Sequence, residues 1–116
     1  MHETSLVLAM CSQIEEMARA QKAQEVLSIT VRIGEVAGVE EEIFAFAFEV
    51  YKKENPLFKK SELKIEKIPA RKKCLACGEE FQGLSLKKCP RCGKEQFSYT
   101  GGDELQIAKV ELMVED

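Results

Sequence analysis

Four cysteines in two Cys-x-x-Cys-Gly turns carry the clearest chemistry in the chain: Cys74-Leu75-Ala76-Cys77-Gly78 and Cys89-Pro90-Arg91-Cys92-Gly93. Each turn doubles back within four residues and aims two sulfurs at one point. The glycine after the second cysteine permits the positive φ that such a turn takes. Together the turns offer four thiolates, a complete tetrahedral shell for zinc. A full shell leaves no position for water or substrate, so the metal is structural. Disulfides would need an oxidising compartment and a redox pair a thioredoxin-like context, and neither accompanies these cysteines. A rubredoxin-type iron site uses the same Cys-Pro-x-Cys-Gly pattern. However, the stretch from Glu79 to Lys88 is short and polar, with Phe81 and Leu84 as its apolar anchors. An electron-carrying iron is normally shielded by more aromatic packing, so zinc is favoured.

A second candidate site lies at the start of the chain. His2 is the one histidine. A bulky second residue favours retention of Met1, whose α-amine then lies one peptide unit from the imidazole. The amine, the deprotonated His2 amide and His2 Nδ1 form two fused chelate rings in one plane. That nitrogen set suits the tetragonal geometry of nickel(II) or copper(II). Free α-amines and imidazoles take up protons between about pH 6 and 8, so binding is expected to weaken as pH falls through that range. A labile terminal site suits transfer, whereas the cysteine quartet suits holding structure. No catalytic constellation accompanies either site. A lone terminal histidine does not stand behind a nucleophile, and Gly101-Gly102 is too short for a phosphate loop.

The elements that must position these residues follow from periodicity. From Thr4 to Gln21, Leu6, Met10, Ile14 and Met17 recur at helical spacing, and Val7, Cys11 and Ala18 widen the same face. Cys11, outside both turns, is expected to be a buried, inert thiol. Residues 26–36 alternate, with Leu27, Ile29, Val31 and Ile33 facing one way, as in a half-buried strand. Residues 40–54 fit a largely buried helix. Glu40, Glu41 and Glu42 suit its positive end, and Asn55-Pro56 stops it. One of these acids tuning a metal is a minority reading. Residues 62–68 begin as a strand, and Pro69 hands the chain to the cysteine module. Residues 104–114 form a long final strand whose alternation slips at Ala108-Lys109, which suggests a bulge. This strand is expected to return beside residues 62–68, with the metal module inserted at the end of the pair.

The fold class is therefore α+β: a small mixed sheet with two helices, plus an inserted four-cysteine module resembling a zinc ribbon. Residues 1–68 and 99–116 form the main domain and 69–98 the insertion. At 116 residues the chain makes one domain carrying a smaller module. It has no apolar run of about eighteen residues and no signal-peptide pattern, and five cysteines without a signal point to the reducing cytoplasm. The net charge of −3 hides an asymmetry, because residues 69–98 hold seven Lys/Arg against three Asp/Glu. A nucleic-acid-binding zinc ribbon would account for that basic island. The stretch has few aromatics to stack on bases, so solvation of a small module is the simpler account.

Three features together resemble the HypA/HybF family: the start Met1-His2-Glu3, the segments Arg32-Ile33-Gly34-Glu35 and Phe44-Ala45-Phe46-Ala47-Phe48-Glu49, and the cysteine pairs followed by Gly102-Asp103-Glu104-Leu105. The resemblance runs the full length. It implies a non-enzymatic nickel metallochaperone that serves maturation of the nickel–iron hydrogenase large subunit, and in some organisms urease. His2 would bind nickel beside the Met1 amine, with Glu3 supporting the site and Glu40 a loosely aligned further carboxylate. Cys74, Cys77, Cys89 and Cys92 would hold structural zinc. The implied partners are a HypB-type GTPase, the hydrogenase large subunit precursor and urease accessory proteins, and a homodimer is left open.

Overall fold

The computed structural model describes residues 2–115. Its chain divides into two compact units: Met1–Val31, Val39–Glu66 and Gln106–Asp116 in the first, Arg32–Gly38 and Lys67–Leu105 in the second. The order of elements is α1 (Glu3–Ala20), β1 (Ala23–Gly34), α2 (Glu41–Glu54), a 3-10 turn (Pro56–Phe58), β2 (Glu62–Ile68), β3 (Arg71–Cys74), β4 (Glu80–Gln82), β5 (Phe97–Gly101) and β6 (Leu105–Val114). One three-stranded sheet has the order β2-β1-β6 and the other β4-β3-β5.

The α+β class and both helices appear as read from the sequence. In α1 the buried residues are Val7, Met10, Cys11, Ile14 and Ala18. The stripe is thus centred on residues expected only to widen it, and Met17 is 41% exposed. The spacing 7, 11, 14, 18 is itself a helical stripe, and periodicity alone does not choose between two adjacent stripes. The helix of residues 40–54 is not largely buried. Only Phe44 and Phe48 are buried, one turn apart, while Ile43, Phe46 and Val50 stay exposed. Phe58, in the 3-10 turn, closes this cluster with edge-on contacts to Phe48 and Tyr51, at 6.4 and 5.4 Å between ring centroids. Each buried phenylalanine contributes about 1.5–3 kcal/mol. Asn55 Oδ1 accepts from the Leu57 N–H and starts that turn, so the Asn-Pro stop has a hydrogen-bonded cause.

The two helices run parallel. Glu3 of α1 meets the Glu40 amide at the start of α2, and Glu15 meets Tyr51 and Asn55 at its end. This follows from the topology, because β1 lies between them in the chain and reverses its direction. Both positive helix ends therefore lie at one end of the pair.

Two strand expectations need correction. Leu27 is 36% exposed, and burial passes from Val26 and Ser28 to Ile29, Val31 and Ile33. The buried Ser28 donates to the Glu111 carboxylate of β6 at 2.8 Å. The final strand does not pair with β2, because β1 lies between them. The strand with the buried residues, β1, takes the centre, and the edges fall to strands with no fully buried residue, carrying Lys64, Lys67, Lys109 and Glu111. The slip in β6 is present in its burial, which runs Ile107, then Val110 and Leu112.

The second unit contains three short antiparallel strands that the sequence reading did not separate. β3 is central, pairing Lys72 with Phe81 of β4 and Tyr99 of β5. Cys74, Phe81 and Cys89 are buried together with Phe97 packed against them. Phe81 anchors the unit as expected, in edge contact with Phe97 at 6.0 Å. Leu84 does not, being exposed.

Candidate metal centre

The two cysteine turns are built alike. In the first, the Cys74 N–H donates to the Glu79 carbonyl at 2.8 Å and the Gly78 N–H to the Cys74 carbonyl at 3.0 Å. In the second, Cys89 donates to Lys94 and Gly93 to Cys89, both at 2.9 Å. Gly78 and Gly93 have φ of +81° and +77°, the conformation expected of them. The turns bring Sγ of Cys74, Cys77, Cys89 and Cys92 within 4.8 Å of one another. Cys74 and Cys92 Sγ are 3.6 Å apart, as are Cys77 and Cys89. A tetrahedral zinc with bonds of about 2.3 Å separates its sulfurs by about 3.8 Å. The spacing of the quartet fits a zinc ion.

The surroundings prepare these sulfurs unequally. The Cys77 N–H pulls the Cys74 thiol down to about 6, and the Cys92 N–H likewise lowers Cys89. At Cys77 the Glu79 amide acts downward, but burial and the crowding of Cys89, Cys74 and Cys92 push the thiol up to about 12. Four thiolates at this spacing repel, and a dication makes them compatible. Cys11 stands apart in α1, fully buried, its thiol pushed up to about 12 by burial and by Glu15. It is inert, as expected.

Sequence reasoning missed Lys72. This lysine is 1% exposed, on the inner face of β3 two residues before Cys74. Its Nζ lies 4.5 Å from the Phe97 ring centroid and 5.8 Å from those of Phe81 and Tyr99. It donates to the Leu86 carbonyl at 2.8 Å, tying down the loop between the turns. The aromatic faces replace the water that a buried ammonium loses. Once β3 is known as a strand, alternation puts residue 72 on the same face as Cys74, but the lysine-rich sequence does not announce the strand.

At the other candidate site, His2 precedes α1 as its N-cap, with extended backbone (φ −81°, ψ 127°) and no side-chain bond to the helix. Its side chain is exposed. Glu3 opens α1, and its carboxylate accepts from the Glu40 N–H at 3.4 Å. Glu40 is the N-cap of α2, so the loosely aligned acid stands beside the supporting one. Two helix N-termini, each worth roughly half a positive charge, are thus met by Glu3, Glu41 and Glu42 in their first turns. Met1 lies outside the described residues.

Four clustered thiols at zinc spacing on a small α+β protein define a metal-binding protein. The chain belongs to the HypA family: residues 1–112 match the family described as "Hydrogenase/urease nickel incorporation, metallochaperone, hypA". It is 36% identical to "Hydrogenase maturation factor HypA" of Wolinella succinogenes, covering 100% of this chain and 98% of that one. Against the Aquifex aeolicus protein of the same name the identity is 34%, over 99% and 100%. The fold matches the solution structure of the Ni metallochaperone HypA from Helicobacter pylori with a TM-score of 0.69, at 27% identity and covering 99% of this chain and 100% of that one. Resemblance and family agree.

Proposed function

We propose that the chain is a nickel carrier that binds Ni(II) at its N-terminus and delivers it to the precursor of a nickel–iron hydrogenase large subunit, or to urease. The ligands in this reading are the Met1 amine, the His2 amide and His2 Nδ1, with the Glu3 carboxylate beside them. Residues 1–68 and 99–116 form the nickel domain and 69–98 the zinc domain. The observation that carries the reading is the meeting of Glu3 with Glu40 where both helices begin, directly after His2. Carboxylates at that end offset the positive helix termini and make it hospitable to a dication. The zinc site, with its shell complete, holds structure. The protein acts as a carrier, not a catalyst. The cytoplasm is the compartment this reading assigns to it, since four thiolates held for zinc suit a reducing setting.

The test is a nickel titration of untagged protein beside His2→Ala, with zinc counted in both. Wild type should bind one nickel, His2→Ala at least a hundredfold more weakly, and both should keep one zinc. Equal nickel uptake by the two proteins would remove the terminal site and move attention to the cysteines.

The outward stripe of α2 is the face we assign to the HypB-type GTPase. Ile43, Phe46 and Val50 are spaced three and four apart, and Phe46 is 69% exposed. Such a stripe is more apolar than a free helix face requires. Phe46→Asp should weaken GTPase binding at least tenfold while zinc and nickel contents stay unchanged. Undiminished binding would assign the partner to another face.

A further inference from the structure

Two motifs singled out in the sequence are absorbed by neither metal site: Arg32-Ile33-Gly34-Glu35 and Gly102-Asp103-Glu104-Leu105. Within the second unit they bind one another. The backbone leaving β1 donates alternately to the two ends of the cysteine-bearing insertion. Gly34 donates to the Glu104 carbonyl and Val36 to the Gly102 carbonyl, both at 2.7 Å, and Glu35 donates to the Ile68 carbonyl at 2.9 Å. One carboxylate extends this lacing and a second braces the turn at its far end. Glu35 Oε1 accepts from the Ala70 N–H at 2.7 Å, and Glu104 Oε1 from the Gly102 N–H at 2.8 Å. Ala70 is fully buried, and its carbonyl accepts from Gly83 at 2.9 Å. Gly102 is buried too, with φ +96°.

Both amides would otherwise be buried donors without a ladder partner. Such a donor is costly, and an ionised carboxylate is among the strongest acceptors available to it. None of these bonds involves a cysteine.

We propose that Glu35 and Glu104 are positioning residues of one clasp, Glu35 tying Ala70 to the exit of β1 and Glu104 holding Gly102 in the turn whose carbonyls accept from β1, and that this clasp holds without zinc. Loss of the metal then loosens the cysteine turns and leaves the ends of the insertion closed. The insertion can gain or lose its metal without changing where it starts and stops.

Amide hydrogen exchange on the full chain tests this, with and without chelation of zinc. In wild type, chelation should speed exchange at Gly78, Cys89 and Gly93 by at least tenfold and leave Ala70 and Gly102 within about twofold of their zinc-loaded rates. Glu35→Ala should speed Ala70, and Glu104→Ala should speed Gly102, each about tenfold or more with one zinc retained. Glu35→Gln and Glu104→Gln keep an acceptor oxygen and should restore protection, which loss of side-chain packing alone would not predict. The clasp is overturned if Ala70 and Gly102 lose protection together with the cysteine turns on chelation. It is equally overturned if the alanine variants exchange like wild type. Should an alanine variant fail to fold, the chelated wild-type protein decides.

Discussion

Cys74→Ser should yield a protein without stoichiometric zinc, whose cysteine turns have lost their amide protection while α1, β1 and α2 remain folded. Structural zinc supplies roughly 10–16 kcal/mol in small modules at neutral pH. The second unit has little to replace it. Its apolar cluster is Cys74, Phe81 and Cys89 with Phe97 against them, and two of those residues are the metal ligands themselves. Serine keeps the size and loses the soft thiolate. A three-sulfur shell is open to water, so affinity should fall by several powers of ten. Counting zinc in the purified variant, with exchange at Gly78 and Gly93, checks it. One zinc per chain with protected turns would mean that three sulfurs suffice. Acid should act in the same direction. The metal-free thiols carry protons that zinc must displace, so zinc loading is complete at high pH and declines as pH falls. The Cys77 thiol, pushed up to about 12, releases its proton at the greatest cost.

Gly34→Ala should be the most damaging substitution outside the cysteines. A Cβ at Gly34 would stand 1.9 Å from the Gly102 oxygen and 2.8 Å from the Asp103 nitrogen. These are backbone atoms and have no rotamer to retreat into. Relief requires pulling residues 102–104 from β1, which breaks the Gly34–Glu104 and Val36–Gly102 hydrogen bonds. Overpacking costs about 1–3 kcal/mol and each buried bond about 1 more, for roughly 3–5 kcal/mol in total. Against a domain stability of about 5–15 kcal/mol, that is a drop in Tm of at least about 10 °C. Thermal unfolding of zinc-loaded protein measures it. A Tm within about 2 °C of wild type would show that the two segments separate freely.

Much of the metal chemistry was readable because ligand spacing is local. Cys-x-x-Cys-Gly determines its own turn, and Gly78 and Gly93 adopt the positive φ that the spacing implied. Helix α2 was placed to within a residue by its acidic start and its Asn-Pro stop, although Phe44, Phe46 and Phe48 also alternate as in a strand. The burial of α2 was overestimated because an apolar composition does not reveal that only Phe44 and Phe48 turn inward. The strands β3, β4 and β5 were invisible for the opposite reason. They are short and lysine-rich, and Lys72 occupies an inward position that a pattern reader reserves for an apolar residue.

The four thiolates, the terminal histidine, the two helices and the existence of the long strands can be read from the chain alone, since each rests on residues within one segment. That β1 separates β2 from β6, that Glu3 meets Glu40, that three rings enclose Lys72, and that Gly34 lies against Gly102 emerge only in the folded molecule. Each of these joins segments far apart in the chain. Their pairing is set by competition for the sheet centre and for buried hydrogen-bond partners, which no local period encodes.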